Sequence, residues 1–78
     1  MTLADMTPGQ TGHIHAIDTG KPSVIRLMVL GLVEDVPLRI ENVAIGGDPI
    51  EVSLFGSSIS IRKQDAQMFE VTLDGVNG

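Results

Sequence analysis

The sequence predicts a mostly β domain: a small barrel of about five strands, with one short helix between strands 1 and 2. Three observations predict it. The apolar segment Arg26-Leu27-Met28-Val29-Leu30-Gly31-Leu32 reads as a helix with its glycine stop. The turn Gly46-Gly47-Asp48-Pro49 runs straight into the alternating segment Ile50-Glu51-Val52-Ser53-Leu54. From Val36 onward the apolar period is two, the period of half-buried strands.

Taken in order, residues 1–10 read as a lead-in that ends at the turn Thr7-Pro8-Gly9-Gln10, where Gly9 supplies the positive φ of a type II turn. Thr11 to Asp18 reads as the first strand, with Ile14 and Ala16 on one face and His13 and His15 on the other. Asp18-Thr19-Gly20-Lys21-Pro22 is turn chemistry. The helix is placed over Ser23 to Leu30, with Ser23 as N-cap and Gly31 as the left-handed residue after its end. Val36, Leu38 and Ile40 share a face, but Val43 and Ile45 have the opposite parity. A bulge or sharp bend near Glu41-Asn42 would bring those two back inside. Strand bends of this kind suit a sheet that curls into a small barrel. Gly46 to Pro49 makes a corner, with Gly47, Asp48 and Pro49 at its centre. Gly56-Ser57 turns the chain again, Arg62 to Met68 fits one helical turn, and Val71 and Leu73 close the sheet. The expected interior is Ile14, Ala16, Leu38, Ile40, Val52, Leu54, Ile59, Ile61 and Val71. The 78 residues make one domain, with its core over about 3–73 and a fraying tail at 74–78.

Composition excludes several functions. There is no cysteine, so disulfides, thiolate metal sites and a thiol nucleophile are out. The lack of disulfide staples in so small a domain points to a reducing cytosol. The N-terminus has neither the basic nor the apolar region of a signal peptide. The longest apolar run is far short of the roughly 20 residues of a membrane span. Ten acids against five bases give a net charge of −5. That balance opposes binding to nucleic acid and to anionic membranes. Phe55 and Phe69 are the only aromatic residues, too few for base stacking. The barrel is SH3-like, yet with no Tyr or Trp it cannot grip proline-rich helices as SH3 domains do.

At this point the residues resemble the FeoA family, small cytosolic accessory proteins of bacterial ferrous-iron uptake, from about Leu3 to Leu73. Pro8-Gly9-Gln10-Thr11-Gly12 resembles the family's opening. Arg26-Leu27 with Leu30-Gly31-Leu32 resembles its helix motif, and Gly47-Asp48-Pro49 its central corner. Ile59-Ser60-Ile61-Arg62-Lys63, Ala66 and Glu70-Val71 resemble its closing pattern. Glu34-Asp35 stand where the family usually carries Pro-Gly. Asp tolerates positive φ better than most residues, so the corner should survive. The resemblance implies an SH3-like fold and a cytosolic partner surface on the large ferrous-iron permease, FeoB. The same fold ends the iron-dependent repressors of the diphtheria-toxin-repressor type. A short chain without a winged-helix segment favours the transport accessory.

The helix carries more apolar residues than one barrel face needs, with Arg26 its only charge. Leu27, Leu30, Gly31, Leu32 and Arg26 are therefore the expected partner-binding residues, with Leu27 foremost. His13 and His15 are weak candidates for a divalent transition metal, since a stable site needs three or four ligands and nothing else clusters with them. No cofactor is expected. Gly47-Asp48-Pro49 is a turn, and no phosphate-binding loop is present, so the chain does not hydrolyse nucleotide. Ser53, Ser57, Ser58 and Ser60 have only two distant histidines as bases, which does not support a serine triad. Arg62-Lys63 is a local basic step that can steer an acidic partner. The leading reading is a non-catalytic cytoplasmic accessory that modulates the permease by contact, itself a monomer or weak homo-oligomer. The runner-up is a metal-responsive regulatory domain. An enzyme is remote, because a barrel of this size encloses no substrate pocket.

Overall fold

A computed structural model describes residues 1–75 of the chain. Its elements are a 3₁₀ turn at Leu3–Asp5, β1 (Thr11–Ile17), α1 (Pro22–Val29), β2 (Pro37–Val43), β3 (Ile50–Leu54), β4 (Ser57–Ile61), α2 (Lys63–Ala66) and β5 (Phe69–Leu73). All strands are antiparallel in one sheet of order β4-β3-β2-β1-β5. The architecture is thus the mostly β, five-stranded one with a helix between strands 1 and 2. The sheet curls but does not close, since among the described residues no ladder joins β4 to β5.

Alternation builds the core. Leu38, Ile40, Ile50, Val52, Leu54, Ile61 and Val71 are buried, while Arg39, Glu51 and Ser60 between them are exposed. The register slips between Ile40 and Asn42, so the bulge falls at Glu41. This returns Val43 to the packed side. It does not return Ile45, which is fully exposed beyond the end of β2, where the chain has already entered the Ala44–Gly47 turn. A second slip, between Ile14 and Ala16, bulges β1 at His15. The expected burial of Ala16 fails for that reason, and it ends half-buried. Ile59 is also only half-buried, because β4 has no neighbour on its outer side.

The lead-in contributes more than a turn. Leu3 and Met6 enter the core, and the Thr2 amide donates to the Asp5 carboxylate at 2.9 Å across the 3₁₀ turn. Met1 and Thr2 then run beside β5: Thr2 bridges Glu70, and the Val71 amide donates to the Met1 carbonyl at 3.0 Å. Gly9 (φ +90°) sits in the Thr7–Gln10 turn, closed by a 3.1 Å amide–carbonyl bond. Phe69, absent from the expected core, is among the largest fully buried side chains. Asp74 is tied to β1 through its amide to the Thr11 carbonyl (2.9 Å), and residues 76–78 of the expected fraying tail lie outside the described residues.

Helix α1 starts one residue before the expected Ser23. Lys21 is the N-cap and Pro22 the first helical residue. Proline suits that position, since its fixed φ is helical and its missing N–H would have been unpaired. The Ser23 hydroxyl is used elsewhere. It donates to the Asp65 carboxylate at 2.8 Å, and Lys21 Nζ lies 3.3 Å from the same oxygen. Asp65 is thereby buried with partners from the start of α1, as a buried carboxylate requires.

Candidate functional site

The end of α1 decides which leucines reach solvent. The Leu30 amide donates to Arg26 and Leu27 carbonyls, the Gly31 amide to Met28 (3.0 Å) and the Leu32 amide back to Leu27 (3.1 Å). With Gly31 at φ +121° this is a Schellman termination. Its geometry folds the residue after the glycine back over the last turn. Leu32 is accordingly fully buried, and Leu27 packs against the core half-buried. Leu32 therefore offers no docking surface, contrary to the expectation, because the helix stop drives it inward. Leu30, the residue before the glycine, is 57% exposed, and Val29 is 81% exposed. Ile25, one turn earlier on the same face as Val29, is exposed as well, as is Arg26. Val24 alone on the helix is fully buried.

The apolar face continues onto the sheet. Leu30 lines a shallow concavity with Leu54, Phe55, Ser57, Ser58 and Ile59. Gly31 packs beside two of these residues, for a Cβ there would lie 3.2 Å from Leu54 Cδ2 and 3.8 Å from Phe55 Cε2. Phe55 is 73% exposed and has φ +51°, in the two-residue turn Phe55-Gly56 that joins β3 to β4. Glycine or asparagine is usual there, so the backbone accepts strain to present an aromatic ring outward. Phe55 is not among the expected partner-binding residues; its signal in the sequence is an aromatic residue immediately before Gly56-Ser57.

The other corner is structural. Gly46 and Gly47 both have positive φ, and the Asp48–Pro49 peptide is cis. Asp48 accepts a hydrogen bond from the Lys63 amide at 3.0 Å, satisfying an orphan donor in the first turn of α2. Asp35 has φ +70°, so it holds the left-handed position at the corner formed with Glu34.

The structure does not bring the two histidines together with further ligands among the described residues. His13 Nδ1 lies 3.0 Å from the Asp74 carboxylate, while His15 sits on the β1 bulge and is exposed. The bulge breaks the alternation that would align the two rings. Among the described residues no group of three or more His, Cys, Asp or Glu side chains could hold a metal ion. None of their helices is long and apolar enough to cross a membrane.

These features can be set beside known proteins. The sequence profile of the FeoA domain matches residues 1–73. The chain belongs to the FeoA family. The FeoA protein of Chlorobium tepidum is similar in structure, with a TM-score of 0.89 and 30% identity over 100% of this chain and 74% of that one. The FeoA of Stenotrophomonas maltophilia, solved with zinc and described as an SH3 domain protein, has a TM-score of 0.81 at 21% identity, over 92% of this chain and 89% of that one. IdeR of T. acidophilum contains the same fold in one part: its TM-score is 0.84 at 27% identity, over 95% of this chain but 34% of IdeR. A sequence comparison with curated proteins returns no significant match. The fold of this FeoA-family chain is thus SH3-like.

Proposed function

We propose that this FeoA-family protein serves ferrous-iron uptake on the cytosolic side, as a non-catalytic accessory that docks on a FeoB-type permease. Family membership supports the transport role. One relative of similar fold, from Clostridium thermocellum, is named an iron(II) transport protein A; it is 29% identical, and this chain spans about half of it. The observation that carries the docking surface is the apolar stripe of Ile25, Val29 and Leu30 at the end of α1. Exposed apolar patches on so small a domain mark interaction sites. Leu30 and Val29 make the contact, Leu27 supports them from below, and Arg26 supplies a cation at the rim.

The test pairs two variants. Leu30→Gln should leave the melting temperature near wild type and weaken capture by the permease's cytosolic region by roughly tenfold, as expected for a buried interface anchor. Leu27→Gln should lower the melting temperature as well. Wild-type capture by a stable Leu30→Gln protein overturns the docking surface.

A metal-responsive role is the second reading, favoured by the fold shared with a manganese-dependent transcriptional repressor and by the zinc in the S. maltophilia protein. The residues here do not fit a resident metal, because His13 is engaged by Asp74 and, among the described residues, no group of three or more ligands converges.

A further inference from the structure

The two edges of the sheet are treated differently. The outer edge of β5 is covered by Met1 and Thr2. The outer edge of β4 is bare among the described residues. Natural sheets guard such edges with charge, proline or bulges. Ser57-Ser58-Ile59-Ser60-Ile61 has none of these, and its register with β3 is unbroken.

The hairpin fixes which backbone groups are free. Phe55 and Gly56 both have positive φ, so Leu54 and Ser57 close a two-residue turn as a hydrogen-bonded pair. Antiparallel pairs then alternate. Ser57, Ile59 and Ile61 bond inward to β3, and the N–H and C=O groups of Ser58 and Ser60 point outward. We propose that two copies of this chain pair through β4, antiparallel about a two-fold axis at Ile59. The sequence is self-complementary in that register. Ser58 of one copy meets Ser60 of the other, and both pairs exchange two hydrogen bonds. Ile59 then meets its own counterpart at the closer, non-bonded spacing, covering the half-exposed side chain. No charge opposes its like. The register also carries each exposed Phe55 toward the end of the ladder where Arg62 and Lys63 of the other copy emerge. Neither cation forms an ion pair among the described residues. An aromatic face is a favourable neighbour for such a cation.

The interface is one strand wide, so association is weak, with a dissociation constant on the order of 100 µM. Sedimentation equilibrium from about 20 µM to about 1 mM tests it. The apparent mass should rise from one chain toward two. Ser58→Lys with Ser60→Lys sets lysine against lysine across the axis and should weaken association about tenfold. Ser58→Glu with Ser60→Lys sets opposite charges against each other and should tighten it; the Ser60→Lys change is also tolerated within the chain, where position 60 faces Glu51. Amide exchange at Ser58 and Ser60 should slow with concentration, and that at Ser57 and Ile59 should not. A single-chain mass at the highest concentration overturns the proposal. So does a dimer whose stability ignores both double variants, which places the contact elsewhere, on α1 or another face. Ser58 borders the concavity that Leu30 lines, but self-association is read on the chain alone and Leu30→Gln changes no β4 residue, so this result and the permease result fail separately.

Discussion

The Ser23 hydroxyl donates to the Asp65 carboxylate at 2.8 Å, joining the start of α1 to α2 across 42 residues of sequence. Asp65 is buried, so the bond is made where water competes poorly. Ser23→Ala should cost about 1.5–3 kcal/mol, the range for a hydrogen bond to a charged group. Asp65→Ala should cost more, because it leaves the Ser23 hydroxyl and Lys21 without their partner. A double-mutant cycle in urea should give a coupling of about 1 kcal/mol; additive losses would show that the two side chains act separately.

Asp48 caps α2 from the corner before β3. Asp48→Ala should lower stability by about 1 kcal/mol, the usual loss of a cap, with binding to a permease unchanged. Asp48→Asn should recover most of it, since an amide oxygen also accepts. A variant as stable as wild type would show that water replaces the carboxylate at no cost.

Gly31→Val should destabilise by about 2–4 kcal/mol. The left-handed φ of +121° excludes a β-branched residue, and the added Cβ would press on Leu54 at 3.2 Å. Gly31→Ala should lose less, since Leu54 can shift. A Gly31→Ala protein as stable as wild type in thermal melts would remove the backbone argument.

Zinc(II) titration by calorimetry at neutral pH should show no site tighter than about 10 µM, because an ion bound at His15 would lack enough protein ligands. His13→Ala and His15→Ala should leave the weak heat unchanged. A sub-micromolar site abolished by His15→Ala would favour the metal-responsive role over docking.

Much of the fold was legible in the residues themselves. Alternation from Val36 to Leu54 names the buried face because the side-chain period of a strand is two. The parity conflict between Ile40 and Val43 placed the bulge, which falls at Glu41. Gly31 and Gly47 announced positive φ because few other residues adopt it at no cost. The expected docking residues were legible only as a group: Val24, Ile25, Leu27, Met28, Val29 and Leu30 together exceed what a single face of one short helix can bury.

Tertiary structure alone decided how that group divides. The Schellman turn at Gly31 sends Leu32 into the core and leaves Leu30 outside, though both are leucines one residue from the same glycine. It also decided that Ser23 serves Asp65 rather than its own helix, that β1 bulges at His15, and that Met1 and Thr2 cover one sheet edge while β4 stays open. Each depends on a partner far along the chain. Local pattern carries periodicity and backbone propensity, whereas the burial of one leucine rather than another depends on which distant surface the fold brings to meet it.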